Sequence, residues 1–259
     1  DWLYVSGRIG MDWYTRRDTN LTPEGTGHTL PGNRTEGEDR VREINADWML
    51  GVDKAFGDFN VNAFVGGNRM QRSSERISAN GSGFSVEFFD AINNAATRNF
   101  GYGFSESGIN SLYGSAEVSY KNYLFLTATT RTDWFSVLNP ENNKVTYPLV
   151  GASWVFSETF QSLPSVISFG KVRASWAQVG LVNINPYAAN LTYSLNGNTH
   201  IGYKMATFSS AGGNNGNIPN PLLKPALSEE LEFGFDVRLF DNRLGIDVAY
   251  YDQKTTDDI

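Results

Sequence analysis

Large apolar residues occupy every second position through Phe233, Phe235, Val237 and Leu239, and again through Leu244, Ile246, Val248 and Tyr250. Alternation with a period of two marks a strand with one apolar face, and Asp241-Asn242 between two such runs predicts a two-residue hairpin turn. The opposite face carries Gly234, Asp236, Arg238, then Arg243, Gly245 and Asp247. Pairing Leu239 with Leu244 and Val237 with Ile246 keeps the apolar face continuous, whereas a one-residue slip would turn it over.

The same pattern predicts nine strands, at about 2–14, 41–56, 59–72, 109–120, 122–134, 147–157, 165–178, 229–240 and 243–253. In the first, Leu3, Val5, Ile9, Met11 and Trp13 share a face against Tyr4, Ser6, Arg8, Asp12 and Tyr14. In the second, Ile44, Ala46, Trp48, Leu50, Val52 and Phe56 oppose Glu43, Asn45, Asp47 and Asp53, and a turn at Gly57-Asp58 pairs Phe56 with Phe59. Connections after even-numbered strands are short: Gly57-Asp58, Lys121-Asn122, Ser157 to Pro164 and Asp241-Asn242. Those after odd-numbered strands are long and rich in Gly, Asn, Ser and Thr, at about 15–40, 73–108, 135–146 and 179–227. A soluble sandwich scatters its long connections over both ends, whereas an up-and-down outer-membrane barrel has short periplasmic turns and long external loops. The apolar faces also carry Trp13, Trp48, Tyr120, Trp154, Trp176 and Tyr250, several near strand ends, as an aromatic girdle at a membrane boundary requires.

Composition narrows the function. Aromatic residues make up 14% of the chain, with 12 Tyr and 6 Trp, which suits strands and turns. Cysteine is absent and the histidines are His28 and His200, so thiolate sites and histidine clusters are not expected, nor is a metal or other cofactor. A net charge of −7 argues against a nucleic-acid surface, which needs a basic stripe. No apolar run approaches a membrane helix of roughly 18 residues, which leaves a β-barrel open. The chain opens inside a strand and stops without terminal punctuation, so it reads as a piece of something longer.

From about residue 109 the sequence resembles the C-terminal barrel of the SusC/RagA-like TonB-dependent transporters of Bacteroidetes outer membranes. The stretches that carry this are "YKNYLFLTATTRTDWFS" (120–136), "YPLVGASWVFSE" (147–158), "ISFGKVRASWAQVG" (167–180) and "NPLLKPALSEELEFGFDVRLFDNRLGIDVAYYDQKTTDDI" (220–259). Pro225-Ala226 replaces the Trp-Glu usual after the Leu-Lys pair, and Leu181-Val182 follows Gly180 where Asn is frequent. Residues 1–108 fit more loosely, as preceding strands. The resemblance implies an all-β chain, a segment of a large antiparallel up-and-down transmembrane β-barrel, with all of 1–259 in one partial barrel domain. The full barrel would have about 22 strands, with a plug domain and TonB box outside this chain. Implied partners are outer-membrane lipid, a SusD-like lipoprotein over the long-loop end, the TonB complex through the missing N-terminal part, and an oligosaccharide or peptide as cargo.

The candidate ligand contacts, from the lumen and outer loops, are Arg131, Asp133, Trp134, Arg173, Tyr187, Tyr193 and Tyr203. Arg131 and Asp133 are i, i+2 neighbours on one face, as are Lys171 and Arg173, and Asp236 and Arg238; ladders of opposite charge across adjacent strands are the plainer expectation. Phe84, Phe88, Phe89, Phe100, Tyr102 and Phe104 crowd one long connection, and Tyr187, Tyr193, Tyr203 and Phe208 another, either to stack on ligand or to form a small loop core. Adjacent acids at Glu229-Glu230 and Asp257-Asp258 face opposite sides of a strand and cannot straddle one glycosidic bond, so no catalytic residue is expected. The sequons at Asn20, Asn33, Asn80 and Asn190 read as loop composition, and "GYGFSESG" (101–108) lacks the context of a phosphate cradle. The alternative class is a soluble β-sandwich that binds carbohydrate or acts as an adhesin, and a glycoside hydrolase stands behind it.

Overall fold

The computed structural model describes residues 2–27, 31–160, 162–197, 204–210, 220 and 222–256. Among these it forms eleven strands: β1 (Leu3–Thr22), β2 (Asn33–Phe56), β3 (Phe59–Phe84), β4 (Ala95–Tyr120), β5 (Leu124–Phe135), β6 (Lys144–Trp154), β7 (Ile167–Leu181), β8 (Leu191–Gly197), β9 (Lys204–Ser210), β10 (Ala226–Leu239) and β11 (Leu244–Thr256). One helical turn, α1 (Phe156–Thr159), follows β6, and a 3₁₀ turn at Ile92–Asn94 precedes β4. Nine strands make one sheet in the order β1-β2-β3-β4-β5-β6-β7-β10-β11, and β8 pairs with β9 alone. Each strand of the large sheet neighbours the next in that sheet, which is the up-and-down order expected.

The chain divides into two compact units, the first formed by Asp1–Arg8, Ala46–Arg69 and Ile109–Ile259, the second by Ile9–Asn45 and Met70–Gly108. In the first, register carries the apolar face from strand to strand. Val118 pairs with Leu126, Leu126 with Ala152, Ala152 with Ala174, Ala174 with Phe233, and Phe233 with Tyr250. The row beside it runs Tyr120, Leu124, Trp154, Val172, Phe235, Val248. Directly opposed residues share a face, so these rows form one band. Phe235 is 44% exposed and Val248 58%. A sandwich would have covered both with a second sheet, and that reading fails here.

At the short-turn end the band closes in aromatic rings. Phe59 lies 4.8 Å from Tyr120, Tyr120 5.4 Å from Tyr123, Trp154 5.5 Å from Phe160, and Phe156 stacks on Phe235 at 6.2 Å. The Trp154 indole N–H donates to the Thr159 hydroxyl at 2.9 Å. The connection 157–164, expected as a plain turn, thus begins with α1, whose Phe156 ring occupies the space a side chain at Gly170 would need. The turn after β4 has three residues, since Tyr120 pairs with Leu124, and Lys121 and Asn122 adopt positive φ of 49° and 59°. Leu239 pairs with Leu244 as expected.

The second unit departs from the sequence expectation. Segments 15–40 and 73–108 were expected as loops, yet β1 runs to Thr22, β2 starts at Asn33, β3 reaches Phe84 and β4 starts at Ala95. The extensions of β1, β2 and β3 are largely polar on both faces, and a sheet wetted on both sides leaves no period-two signal; that of β4 does alternate, through Phe100, Tyr102 and Phe104, a run grouped with the loop aromatics above. Opposite charges across strands hold the first three together. Arg76 donates to Asp18 at 3.0 Å and to Asp39 at 2.7 Å, and Arg16 donates to Asp39 at 2.7 Å. Asn80 and Asn33, read above as loop sequons, lie on facing strands, and the Asn80 amide donates to Asn33 at 2.9 Å and to Thr35 at 2.8 Å.

Candidate functional site

Alternation sends the other half of each strand of the first unit to a polar face. Its register rows include Glu117, Thr127, Gly151, Ser175 and Glu232, and beside them Lys171, Asp236 and Asp247. Arg173 ties three strands together: its Nε donates to Glu232 at 3.2 Å on β10 and its Nη1 to Asp247 at 3.1 Å on β11. The guanidinium crosses the β10 backbone at Gly234, where a side chain would collide with it. The sequence thus builds an opposite-charge ladder and leaves a glycine where the bridging side chain must pass. Lys171 stands opposite Asp236, and Asp236 opposite Asp247.

Next to this ladder lies a groove of about 610 Å³, lined among others by Glu117, Phe125, Thr127, Ser153, Lys171 and Arg173. It offers carboxylate, hydroxyl and cationic groups around the flat Phe125 side chain, which suits a polar ligand with apolar patches. Sequence reasoning singled out Arg173 here and passed over Glu117, Phe125 and Thr127. Their signal was parity alone, because each sits on the polar face between residues of the apolar one.

A second cluster stands toward the long-connection end. The Arg131 Nε donates to Asp133 at 2.8 Å and its Nη2 to the Ser111 hydroxyl at 2.9 Å, while the guanidinium lies 6.0 Å from the Tyr113 ring centre. Asp133 is 6% exposed and Ser111 7%. Both groups of this ion pair are therefore engaged, and the Arg131 side chain keeps an open flank. Trp134 belongs to the other face, where Lys144 sits 5.8 Å above its ring. The structure therefore brings Arg131 and Asp133 together and separates Trp134 from them.

The outer aromatic candidates scatter. Tyr187 sits in a turn with φ of 65°, and Tyr193 pairs across the β8–β9 hairpin with Phe208. Tyr203 lies outside the described residues. The loop core uses other residues: Phe135, Leu138 and Val145 pack with Tyr147, Val182, Ile184 and Leu223. Phe84 is buried at the end of β3, whereas Phe100, Tyr102 and Phe104 alternate along β4 and are exposed. Among the described residues no cluster of His, Asp or Glu is arranged to hold a metal, and no helix is long and apolar enough to cross a membrane, which leaves β-barrel crossing untouched.

The family model described as TonB dependent receptor-like, beta-barrel matches residues 1–259. TonB-dependent receptor P3 of Formosa agariphila is 26% identical over 216 residues, covering 80% of this chain and 21% of that protein. TonB-dependent receptor P26 of the same organism is 29% identical over 206 residues, covering 74% and 20%. The solved structure of the RagAB peptide transporter superposes with a TM-score of 0.84 at 18% identity, over 98% of this chain and 28% of that one. The RagAB peptide importer in its 'open-open' state gives 0.83 at 18%, with the same coverage. At such identity the structural likeness speaks for the fold. The chain spans about a fifth of the curated relatives' length.

Proposed function

Because the chain belongs to the TonB-dependent receptor-like β-barrel family, as a SusC/RagA-like barrel segment of the outer membrane, we propose that it walls the path by which a nutrient is imported with TonB-derived energy. The observation that carries this reading is a single sheet with two media: an apolar band left without a covering layer, and behind it a polar wall crossed by Arg173, Glu232 and Asp247. Hydrocarbon suits the first and a water-filled lumen the second. The wall binds and guides cargo and carries out no covalent chemistry. A SusD-like lipoprotein closes the long-connection end, and a plug preceding these strands couples to TonB.

The cargo is an oligosaccharide or a peptide. The groove beside Arg173 favours a ligand with hydroxyl or amide groups along an apolar flank, which both classes have. The peptide class draws support from the description of RagAB as a peptide transporter.

The test uses the full-length protein with its lipoprotein partner. Cells carrying it should take up a labelled oligosaccharide or oligopeptide only while the proton gradient stands, and Arg173→Ala should reduce uptake several-fold with the folded barrel still present in the outer membrane. Uptake that survives collapse of the gradient sinks the reading, and so does a parent protein that extracts into buffer without detergent.

A further inference from the structure

Within the second unit the outward side of β1 changes character in a few residues. Ile9, Met11 and Trp13 are 80%, 65% and 65% exposed, and the next residues on that face are Thr15 and Arg17. β2 answers them. Arg17 donates to Glu38 at 2.8 Å, so Glu38 shares its face, and alternation adds Arg40, Arg42 and then Ile44. Leu3–Trp13 has the length a tilted strand needs to cross a bilayer, about 9–11 residues. Arg17 lies beyond that run along β1, toward the long connection to β2, and long connections of such a barrel are external.

Cations outnumber anions at this rim. Glu38 is shared between Arg17 and Arg40, each at 2.8 Å, and Arg40 also approaches Glu75 at 3.9 Å. Arg42 is exposed and has no ion pair among the described residues. Trp13, Thr15, Arg17, Glu38 and Arg40 line a groove of about 660 Å³.

We propose that this groove is a binding site for a phosphorylated glycolipid of the outer leaflet, one that nothing in the transport reading requires. Arg17 in the groove and Arg42 beside it on β2 take the phosphate, since guanidinium groups match phosphate oxygens in pairs; Glu38 is divided between Arg17 and Arg40, and Arg42 has no ion pair among the described residues. The Trp13 ring meets the headgroup sugar, and the acyl chains run down Ile9 and Met11. Charge complementarity selects the phosphate, and the exposed run of Ile9, Met11 and Trp13 on the same face of β1 selects a lipid over a soluble anion. The inference rests on the outer-membrane placement and is independent of the cargo.

Native mass spectrometry of the detergent-purified full-length protein tests it, with monophosphoryl lipid A and the same lipid after phosphate removal as probes. The wild type should retain the phosphorylated lipid roughly tenfold more strongly, as expected for a charged hydrogen-bonded contact. Arg17→Ala combined with Arg42→Ala should abolish that preference, and Arg42→Gln alone should reduce it, with the folded barrel verified by its heat-dependent gel mobility. If the double variant does not fold, the single variant decides. Equal retention of the two lipids by the wild type, a preference untouched by Arg42→Gln, or equally tight binding of glucosamine 1-phosphate, which has no acyl chains, would overturn the proposal.

Discussion

Val248 and Asp247 are chain neighbours on β11 that meet different media. Val248 pairs with Phe235 on the apolar band, and Asp247 accepts from Arg173 on the polar wall. Arginine at Val248 must enter hydrocarbon, so Val248→Arg should cost roughly 2–4 kcal/mol in urea unfolding from lipid vesicles, and Asp247→Asn less than about 1 kcal/mol because Arg173 keeps Glu232. Equal costs would mean that the faces are assigned wrongly. Gly170 offers a second check, since its missing side chain makes room for Phe156 against Phe235. Gly170→Val should displace that ring and destabilise by about 1–3 kcal/mol in the same assay. The alternation alone assigned Val248 and Asp247 to their faces. The Phe156–Gly170 contact was invisible to it, because it joins a helical turn to a strand through tertiary packing.

The long extensions of β1, β2 and β3 rely on charge where the rest of the sheet relies on apolar contact. Hydrogen bonds from Arg76 and then Arg16 hold the Asp39 carboxyl below the usual carboxylate range, and Arg17 and then Arg40 do the same for Glu38. Both lie outside the membrane-crossing run that begins at Ile44. A carboxyl whose folded pKa is depressed stabilises fully above its unfolded value, near about 4, and loses that contribution as pH falls through the folded value. Amide hydrogen exchange corrected for intrinsic rate should therefore show residues 70–108 losing protection between neutral and strongly acidic pH, while 226–256 keep theirs. Asp39→Asn should reproduce part of that loss at neutral pH. These extensions were illegible because "TRRDTNLT" and "SSERISAN" contain no apolar period; what orders them is pairing with residues 20 to 60 positions away, such as Arg16 with Asp39 and Arg76 with Asp18.

For the molecule as a whole, the consequence of a lipid-facing band is a definite height. Leu124 pairs with Trp154 at the short-turn end, and Trp134 stands ten residues further along the same face of β5. At about 3.3 Å per residue that is about 33 Å of strand, and a tilt of about 40° brings it to about 25 Å, the height of a transmembrane barrel's apolar band. Trp154 binds Thr159, and Lys144 covers Trp134, so each ring has its polar company at the outer limit of the band. That pairing explains why Trp134 stands apart from Arg131 and Asp133 although one sequence motif contains all three: the motif places them within four residues, and the pleat divides them between two solvents. Full-length variants keeping a single tryptophan, at Trp134 or Trp154, should be quenched strongly by lipids brominated near the headgroup and weakly by lipids brominated near the chain ends. A tryptophan placed at Leu126, one step inside Trp154's row, should be quenched more by the deep bromines than either. Matching deep quenching for Trp134 and Trp154 would mean that the band extends past both rings, and that neither marks its limit.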